Sequence, residues 1–503
     1  MNHLRGLTPT LAVALLSAAL CGSALAACKD GDRLTLLHFN DYHGQLESYA
    51  DPESKANVGG IARLARAVEK IRGEDPSLPV ILLFAGDVLQ GTLTSSLFLG
   101  IPDILMFEKL GVDAAAVGNH ELDYGQDAFR RLGQLARFPF LSANVQSQPE
   151  PLPIKPYVLI AKPNAPKVAV LGLTTNDLTT ATHPKNVHGV TVEEPLAVTQ
   201  RHLAALRAES DMVVVLSHMG IADDRRLARD IPELELIIGG HNHNVYAQPI
   251  MEGDVAIVQA GERGRWLGRM DLTCKGGRMA RSAYQLLPMD ASAAEHPEIA
   301  AEVARIAAEA DKELTREVGQ IDIELDASRA VLRRGEGLLG DFVADLAREI
   351  TAADIAIFNG GGFRASIPAG KVTLKHIFQT FPFRNELVVG TLTGAQILEA
   401  LQRSAAFDPA ENPGGFLQVS GLRYSIANGA LESASLIASP INPAERYRVV
   451  MPDFLAEGGD GYAMFKDMDK KVMTGRLISD MVIEAFRTGQ PVPTKLDGRI
   501  VRK

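Results

Sequence analysis

Short apolar runs recur along the first half of the chain. Residues 34–40 (Leu-Thr-Leu-Leu-His-Phe-Asn) form the first, and similar runs follow at 80–85, 114–118, 168–172, 212–217 and 234–239. Runs of this length, apolar almost throughout, predict buried strands. Helical patterns lie between several of them, for example at 60–72 and 195–209. Strands alternating with helices predict an α/β layered domain.

The pattern changes near residue 290. Residues 294–316 are rich in Ala and Glu, with Ile299, Val303, Ile306 and Ala310 at helical spacing, which predicts a linker helix. A second α/β unit follows to Lys503, marked by a helix at 338–350, a strand at 354–359 and the loop Gly360-Gly361-Gly362. The expected organisation is one domain over 27–290, a linker helix over 291–318 and a second domain over 319–503. A chain of 503 residues is too long for one ordinary core, which agrees.

Composition narrows the partners. A hydrophobic content of 46% with 22% charged residues is that of a folded soluble protein. The net charge of −10 argues against a general binder of nucleic acid or anionic membrane. An anionic small molecule must then be held by local metals or arginines.

The N-terminus reads as an export signal over 1–26, which predicts an exported, periplasmic protein. His3 and Arg5 precede an apolar run at 11–20, and Ser23-Ala24-Leu25-Ala26 offers small residues for cleavage after Ala26. The run is short for a membrane span, and no later stretch is apolar enough to be one. Cys21 leaves with the signal, so Cys28 and Cys274 remain, and an exported pair can oxidise. Leu25-Ala26-Ala27-Cys28 also resembles a bacterial lipobox, which would place a lipid on Cys28. The first strand begins at Leu34, which leaves almost no tether for such an anchor, so a Cys28–Cys274 disulfide is favoured.

Almost every apolar run ends in a residue able to do chemistry, and α/β sheets gather their sites at such strand ends. Five segments stand out: Asp41-Tyr-His43, Gly86-Asp87, Gly118-Asn119-His120-Glu121, His218, and Gly240-His241-Asn242-His243. Mixed oxygen and imidazole donors suit Zn, Mn, Fe or Co better than Ca or Mg. Two cations about 3.5–4 Å apart need a short bridging carboxylate, and Asp87, behind a glycine at a strand end, fits that role. Any one segment alone is weak; five in order, each behind a strand, carry weight together.

These segments resemble the calcineurin-like metallophosphoesterases, whose pattern is D-x-H, G-D, G-N-H-[E/D], H and G-H-x-H. The resemblance implies a four-layer sandwich of two sheets flanked by helices. It implies Asp41, His43, Asp87 and His243 on one divalent cation, and Asp87, Asn119, His218 and His241 on a second. It makes His120 a catalytic residue beside the substrate phosphate, with Asp123 orienting its imidazole.

The second half bears on the substrate. Arg329 and Arg333 stand four apart before the helix that opens near Gly337, and Arg364 follows the triple glycine. Guanidinium forks pair well with phosphate oxygens. Phe381-Pro-Phe383-Arg-Asn385 and Met451-Pro-Asp453-Phe454-Leu-Ala-Glu-Gly458-Gly-Asp460-Gly461 follow. A flat base can stack between two phenylalanines, and a nearby Asp can accept both ribose hydroxyls. Together these segments resemble the 5′-nucleotidase family, which includes periplasmic UDP-sugar hydrolases and animal ecto-5′-nucleotidases, over about 33–500. Asn359-Gly-Gly-Gly-Phe-Arg364 and residues 454–461 carry the most specific part. The resemblance implies Arg329, Arg333 and Arg364 at the phosphate, Phe383 and Phe454 around the base, Asn385 beside it and Asp460 on the ribose.

The chain departs from the family at three places. Arg384 stands where glycine is usual, residues 333–340 lack the usual Thr-Asn before Leu-Gly, and His243 replaces the glutamine of some periplasmic members. The expectation is a monomeric, exported phosphohydrolase with two divalent cations, acting on nucleoside 5′-monophosphates and also on UDP-sugars or 2′,3′-cyclic nucleotides. A related sulfur-oxidation thiosulfohydrolase and a non-catalytic nucleotide-binding surface protein are the alternatives. Phe383, Phe454 and Asp460 speak against the first, and His120 with the intact donor set against the second.

Overall fold

The computed structural model describes residues 28–51, 54–182, 184–383, 385–411, 413–436 and 439–503. The expected export signal and Arg384 lie outside the described residues.

Two large sheets, of seven and six strands, form the core of the first domain. Strand Arg33–Phe39 lies parallel to Val80–Phe84, which is parallel in turn to Ala114–Ala116. On its other side it pairs antiparallel with Trp266–Lys275, whose hairpin mate is Arg278–Pro288. In the second sheet Val168–Thr174, Met212–His218, Leu236–Ile238 and Val255–Val258 run parallel. The sheets meet face to face: Leu34, Leu36, Ile81 and Leu83 share one core with Val170, Val214, Leu216 and Ile238. The outer face of the first sheet is covered by helices Ile61–Glu74, Ile101–Leu110, Gln126–Leu135 and Pro297–Leu314. Pro195–Glu209 and Ile221–Asp230 cover the second. The result is four layers, helix–sheet–sheet–helix. Strands covered on both faces have no solvent side to mark with polar residues, which is why they read as continuous apolar runs.

Helix Pro297–Leu314 starts with the His296 imidazole accepting from the Ile299 amide. Its buried stripe, Ile299, Val303 and Ile306, joins the core of the first domain.

The second domain is built on a five-stranded sheet. Strand Ile355–Asn359 pairs parallel with Arg446–Pro452, which pairs antiparallel with Glu386–Thr393. Helices Leu338–Thr351 and Ile478–Thr488 cover one face and Gly394–Ala406 the other. Between the domains Lys185 Nζ meets Glu386 Oε1 at 2.5 Å.

Cys28 and Cys274 are joined by a disulfide, with Cα atoms 6.0 Å apart and a sequence separation of 246. The same strand ends exchange backbone bonds, Gly31 N to Cys274 O and Cys274 N to Asp32 O. A sulfur so engaged cannot carry a lipid. Intact mass should therefore fall two hydrogens below that of the reduced chain; a lipid-sized addition on Cys28 would overturn the pairing.

Candidate active site

The five donor segments lie at or just beyond the C-terminal ends of parallel strands, in both sheets, at one edge of the sandwich. Their backbones are bound to one another. Asp41 N, His43 N and Gly44 N donate to Gly86 O, Asp87 O and Val88 O at 2.9–3.0 Å. Asp41, His43, Asp87, His241 and His243 take φ of 50°, 53°, 63°, 76° and 57°. Left-handed backbone costs a non-glycine residue about 1 kcal/mol or more. Finding it at five residues of one donor set indicates that their direction is worth that cost. The preceding glycines make room: a Cβ on Gly118 would lie 2.1 Å from Asp87 Oδ1.

Three donor groups converge, each with its ligand atoms within 4.8 Å of one another: Asp41, His43 and His243; His43, Asp87 and His120; and Asp87, His218 and His241. Asp87 belongs to two of them. Asn119 Oδ1 lies 3.0 Å from His241 Nδ1 and so joins the third. Asp87 Oδ2 is 3.0 Å from His218 Nε2, and Asp87 Oδ1 accepts from the His120 amide at 3.0 Å.

The imidazoles are oriented from behind. His43 Nδ1 donates to Gln90 O at 3.0 Å and His218 Nδ1 to Ala85 O at 2.7 Å. His243 Nδ1 lies 3.1 Å from Glu262 Oε2. Such bonds leave Nε2 aimed into the site with its lone pair. His43 Nε2 and His243 Nε2 then face each other at 3.1 Å. His218 Nε2 is fully buried and, though close to Asp87, makes no aligned hydrogen bond. Facing lone pairs and an orphaned buried nitrogen are what a cation between them would satisfy, so the donor set fits divalent metal ions.

Electrostatics agree. Burial opposes a charged His218, but the nearby Asp87 carboxylate, the Asp41 charge and the Ala85 carbonyl together outweigh it and push the imidazole up to about 10. His243 is pushed up to about 10 by its hydrogen bonds to Asp41 and Glu262. Burial holds His43 and His241 below the ordinary value. A carboxylate-rich pocket of this kind draws in positive charge, whether as protons or as cations.

His120 is placed differently. Its Nδ1 donates to Asp123 Oδ2 at 2.5 Å and its Nε2 stands 4.0 Å from Asp87 Oδ2. Burial opposes the charged ring, yet the Asp123 bond and the charges of Asp87 and Asp123 push it up to about 9. Asp123 is itself tied down, its carbonyl accepting from Asn186 Nδ2 at 2.9 Å.

The supporting residues are the ones that sequence reasoning passed over. Glu121, fully buried, accepts from the amides of Gly118, Asp87 and Val88, so one carboxylate joins two donor loops. Asn40 bonds Asp41 Oδ2, Gly261 O and the Ala260 amide. Gln259 Nε2 donates to Gly240 O at 2.6 Å. Gln259 could have been found, since it too ends an apolar run.

The second domain gathers its candidates at one end of its sheet. Arg329 opens a short helix, Arg329–Leu332, and Arg333 caps it. Burial, and then the neighbouring charges of Arg329 and Arg364, hold the Arg333 guanidinium below its ordinary value, with Asp460 opposing. Three guanidiniums held together repel one another, and a multiply charged anion relieves the repulsion. The glycine turn lies against the end of the helix Arg329–Leu332: a Cβ on Gly360 would meet Leu332 O at 2.2 Å. Arg364 stands over the Phe383 ring at 5.8 Å. Phe383 and Phe454 are each 44% exposed, while Phe363, Phe381 and Phe416 are buried. Asn385 is bonded to Asp453, and the Asp460 carboxylate accepts from Asn359 Nδ2 at 2.8 Å. A cavity of about 410 Å³ opens between the domains, bounded by Gln90, Gly91 and Thr92 on one side and Ala365, Gln379 and Pro382 on the other. Its walls adjoin the Gln90 carbonyl that holds His43, and Arg364 and Phe383 in sequence.

Comparison with known proteins agrees with both halves. Residues 34–245 match the calcineurin-like phosphoesterase family and residues 317–467 the 5′-nucleotidase C-terminal domain. A 5′-nucleotidase precursor from Thermus thermophilus, solved by crystallography, is 30% identical, with 93% of this chain and 99% of that one covered and a TM-score of 0.65. Protein UshA of Salmonella pullorum is 28% identical over 96% of both chains. The trifunctional nucleotide phosphoesterase YfkN of Bacillus subtilis is 32% identical over 93% of this chain, which spans only 35% of that protein's length.

Proposed function

Since the chain belongs to the 5′-nucleotidase family of metal-dependent phosphoester hydrolases, we propose that it is an exported enzyme that removes phosphate from nucleoside 5′-monophosphates. UDP-sugars and 2′,3′-cyclic nucleotides are further substrates in this reading. The observation that carries it is the pair of exposed phenylalanines, Phe383 and Phe454, beside Asp460 and the three arginines. A thiosulfate-bearing carrier has no flat ring to stack there.

Two cations are assigned. Asp41, His43, Asp87 and His243 hold one; Asp87, Asn119, His218 and His241 hold the other. Zn, Mn, Co and Fe all suit the donors. When bound, such ions polarise phosphoryl oxygens and make a nucleophile of water at neutral pH. The chain's own groups do the rest. Arg329, Arg333 and Arg364 bind and orient the phosphate. Phe383 and Phe454 take the base between them, with Asn385 at its edge and Asp460 on the ribose hydroxyls. His120, steadied by Asp123, offers an N–H at Nε2 to the oxygens that gain charge or to the departing ribose oxygen. The assignment places the metal centre in 27–290 and the recognition groups in 319–503, with 291–318 between, so both domains are needed for one turnover. Export to the periplasm suits a disulfide-bonded fold, and among the described residues no helix is long and apolar enough to cross a membrane.

Phe454→Ala tests the reading. AMP hydrolysis should lose roughly tenfold or more in kcat/KM, while p-nitrophenyl phosphate, which has no base, should lose far less. Equal losses on both substrates in a folded, metal-loaded protein would make Phe454 a packing residue and remove the case for a nucleoside.

A further inference from the structure

One buried carboxylate joins the two loops that carry the exposed phenylalanines. Asp453 opens the short helix Asp453–Ala456, directly after strand Arg446–Pro452, and is 1% exposed. Its Oδ1 accepts from Asn385 Nδ2 and from the Phe454 amide, and its Oδ2 from the Glu386 amide, each at 2.7 Å.

The position explains the need. Strands Glu386–Thr393 and Arg446–Pro452 are in register up to the pair Leu387 and Pro452. Beyond that pair the ladder between these two strands stops, although Glu386 still pairs with Leu477 on its other side. Asp453 continues the cross-connection one step further. It grips Phe454 by its own amide, and Phe383 through the residues two and three places on. The two rings are held little by packing, since each is nearly half exposed. Their separation therefore depends on their backbones, and those backbones meet at this carboxylate.

We infer that Asp453 is a positioning residue for base recognition, setting the gap between Phe383 and Phe454 without touching the substrate. The inference rests on the nucleotidase reading of that pair. Charge-assisted bonds to three donors make the carboxylate hard to replace. Alanine leaves the Glu386 and Phe454 amides without this acceptor. Asparagine keeps one acceptor oxygen but turns an NH₂ toward a donor, so it restores part of the contact.

The test uses the full chain, loaded with Mn, with AMP and p-nitrophenyl phosphate as substrates. In Asp453→Ala the preference for AMP over the aryl ester, as a ratio of kcat/KM values, should fall roughly tenfold, through KM for AMP rather than kcat. Asp453→Asn should fall in the same direction by less, and it decides the matter if the alanine variant does not fold. Equal loss on both substrates would mean that Asp453 serves the fold alone. An unchanged preference in both variants, while Phe454→Ala loses it, would overturn the role of Asp453 and leave the clamp standing. If Phe454→Ala also keeps the preference, the clamp reading fails and this inference fails with it.

Discussion

Asp87→Asn is expected to empty the metal centre and stop turnover together. Asp87 is the one carboxylate common to two of the three donor groups. Its Oδ2 faces His218 Nε2 and its Oδ1 accepts from the His120 amide. The amide is nearly the same size, but it has one oxygen where two are used. Whichever way it turns, an NH₂ points at a ligand nitrogen or at a backbone N–H. It also removes a negative charge from between two proposed dications. Loss of both Lewis-acid positions should lower kcat by roughly 10³-fold or more, about 4 kcal/mol of transition-state stabilisation. Elemental analysis should show the metal leaving in parallel. A variant with normal metal content and full turnover would refute the bridging assignment.

His120→Ala should separate what Asp87→Asn joins. Metal should stay, because Asp41, His43, Asp87, Asn119, His218, His241 and His243 are untouched, while kcat falls roughly 10²-fold or more. The expectation follows from the ring's two attachments. Nδ1 is committed to Asp123 at 2.5 Å, and Nε2 stands 4.0 Å from the nearest Asp87 oxygen, free to serve a third party. His120 also lies in a donor group with His43 and Asp87. Loss of metal along with activity would therefore reassign it as a ligand.

The two domains were legible in the sequence to different depths. The parallel strands announced themselves because both faces are buried. The hairpin Trp266–Lys275 and Arg278–Pro288 did not, although its strands are the longest among the described residues. They mix buried and half-exposed positions, and a bulge between Asp271 and Leu272 breaks the alternation. Helix Pro297–Leu314 was readable as a helix from its spacing, but nothing in that spacing says which domain takes its apolar stripe. At the site, donor residues could be read because Asp and His at strand ends have few other reasons to recur. Most of the residues behind them could not, Gln259 at the end of its apolar run excepted. Asn40, Glu121, Glu262 and Asp453 are of types usually found in solvent. Only the burial of most of them, and the partners they meet there, mark them as supports.

The bond between Cys28 and Cys274 has a further consequence. All five donor loops fall inside the 246-position interval it spans, so the metal-bearing half of the protein is a covalent ring. A protease that cuts an exposed connection in this ring makes a nick, not two pieces. The severed ends stay on one molecule, next to the strands they came from, and the donors from either side of the cut remain at high effective concentration for one another. In the proposed periplasmic setting, where reductants are scarce, the centre would outlast the continuity of its own chain.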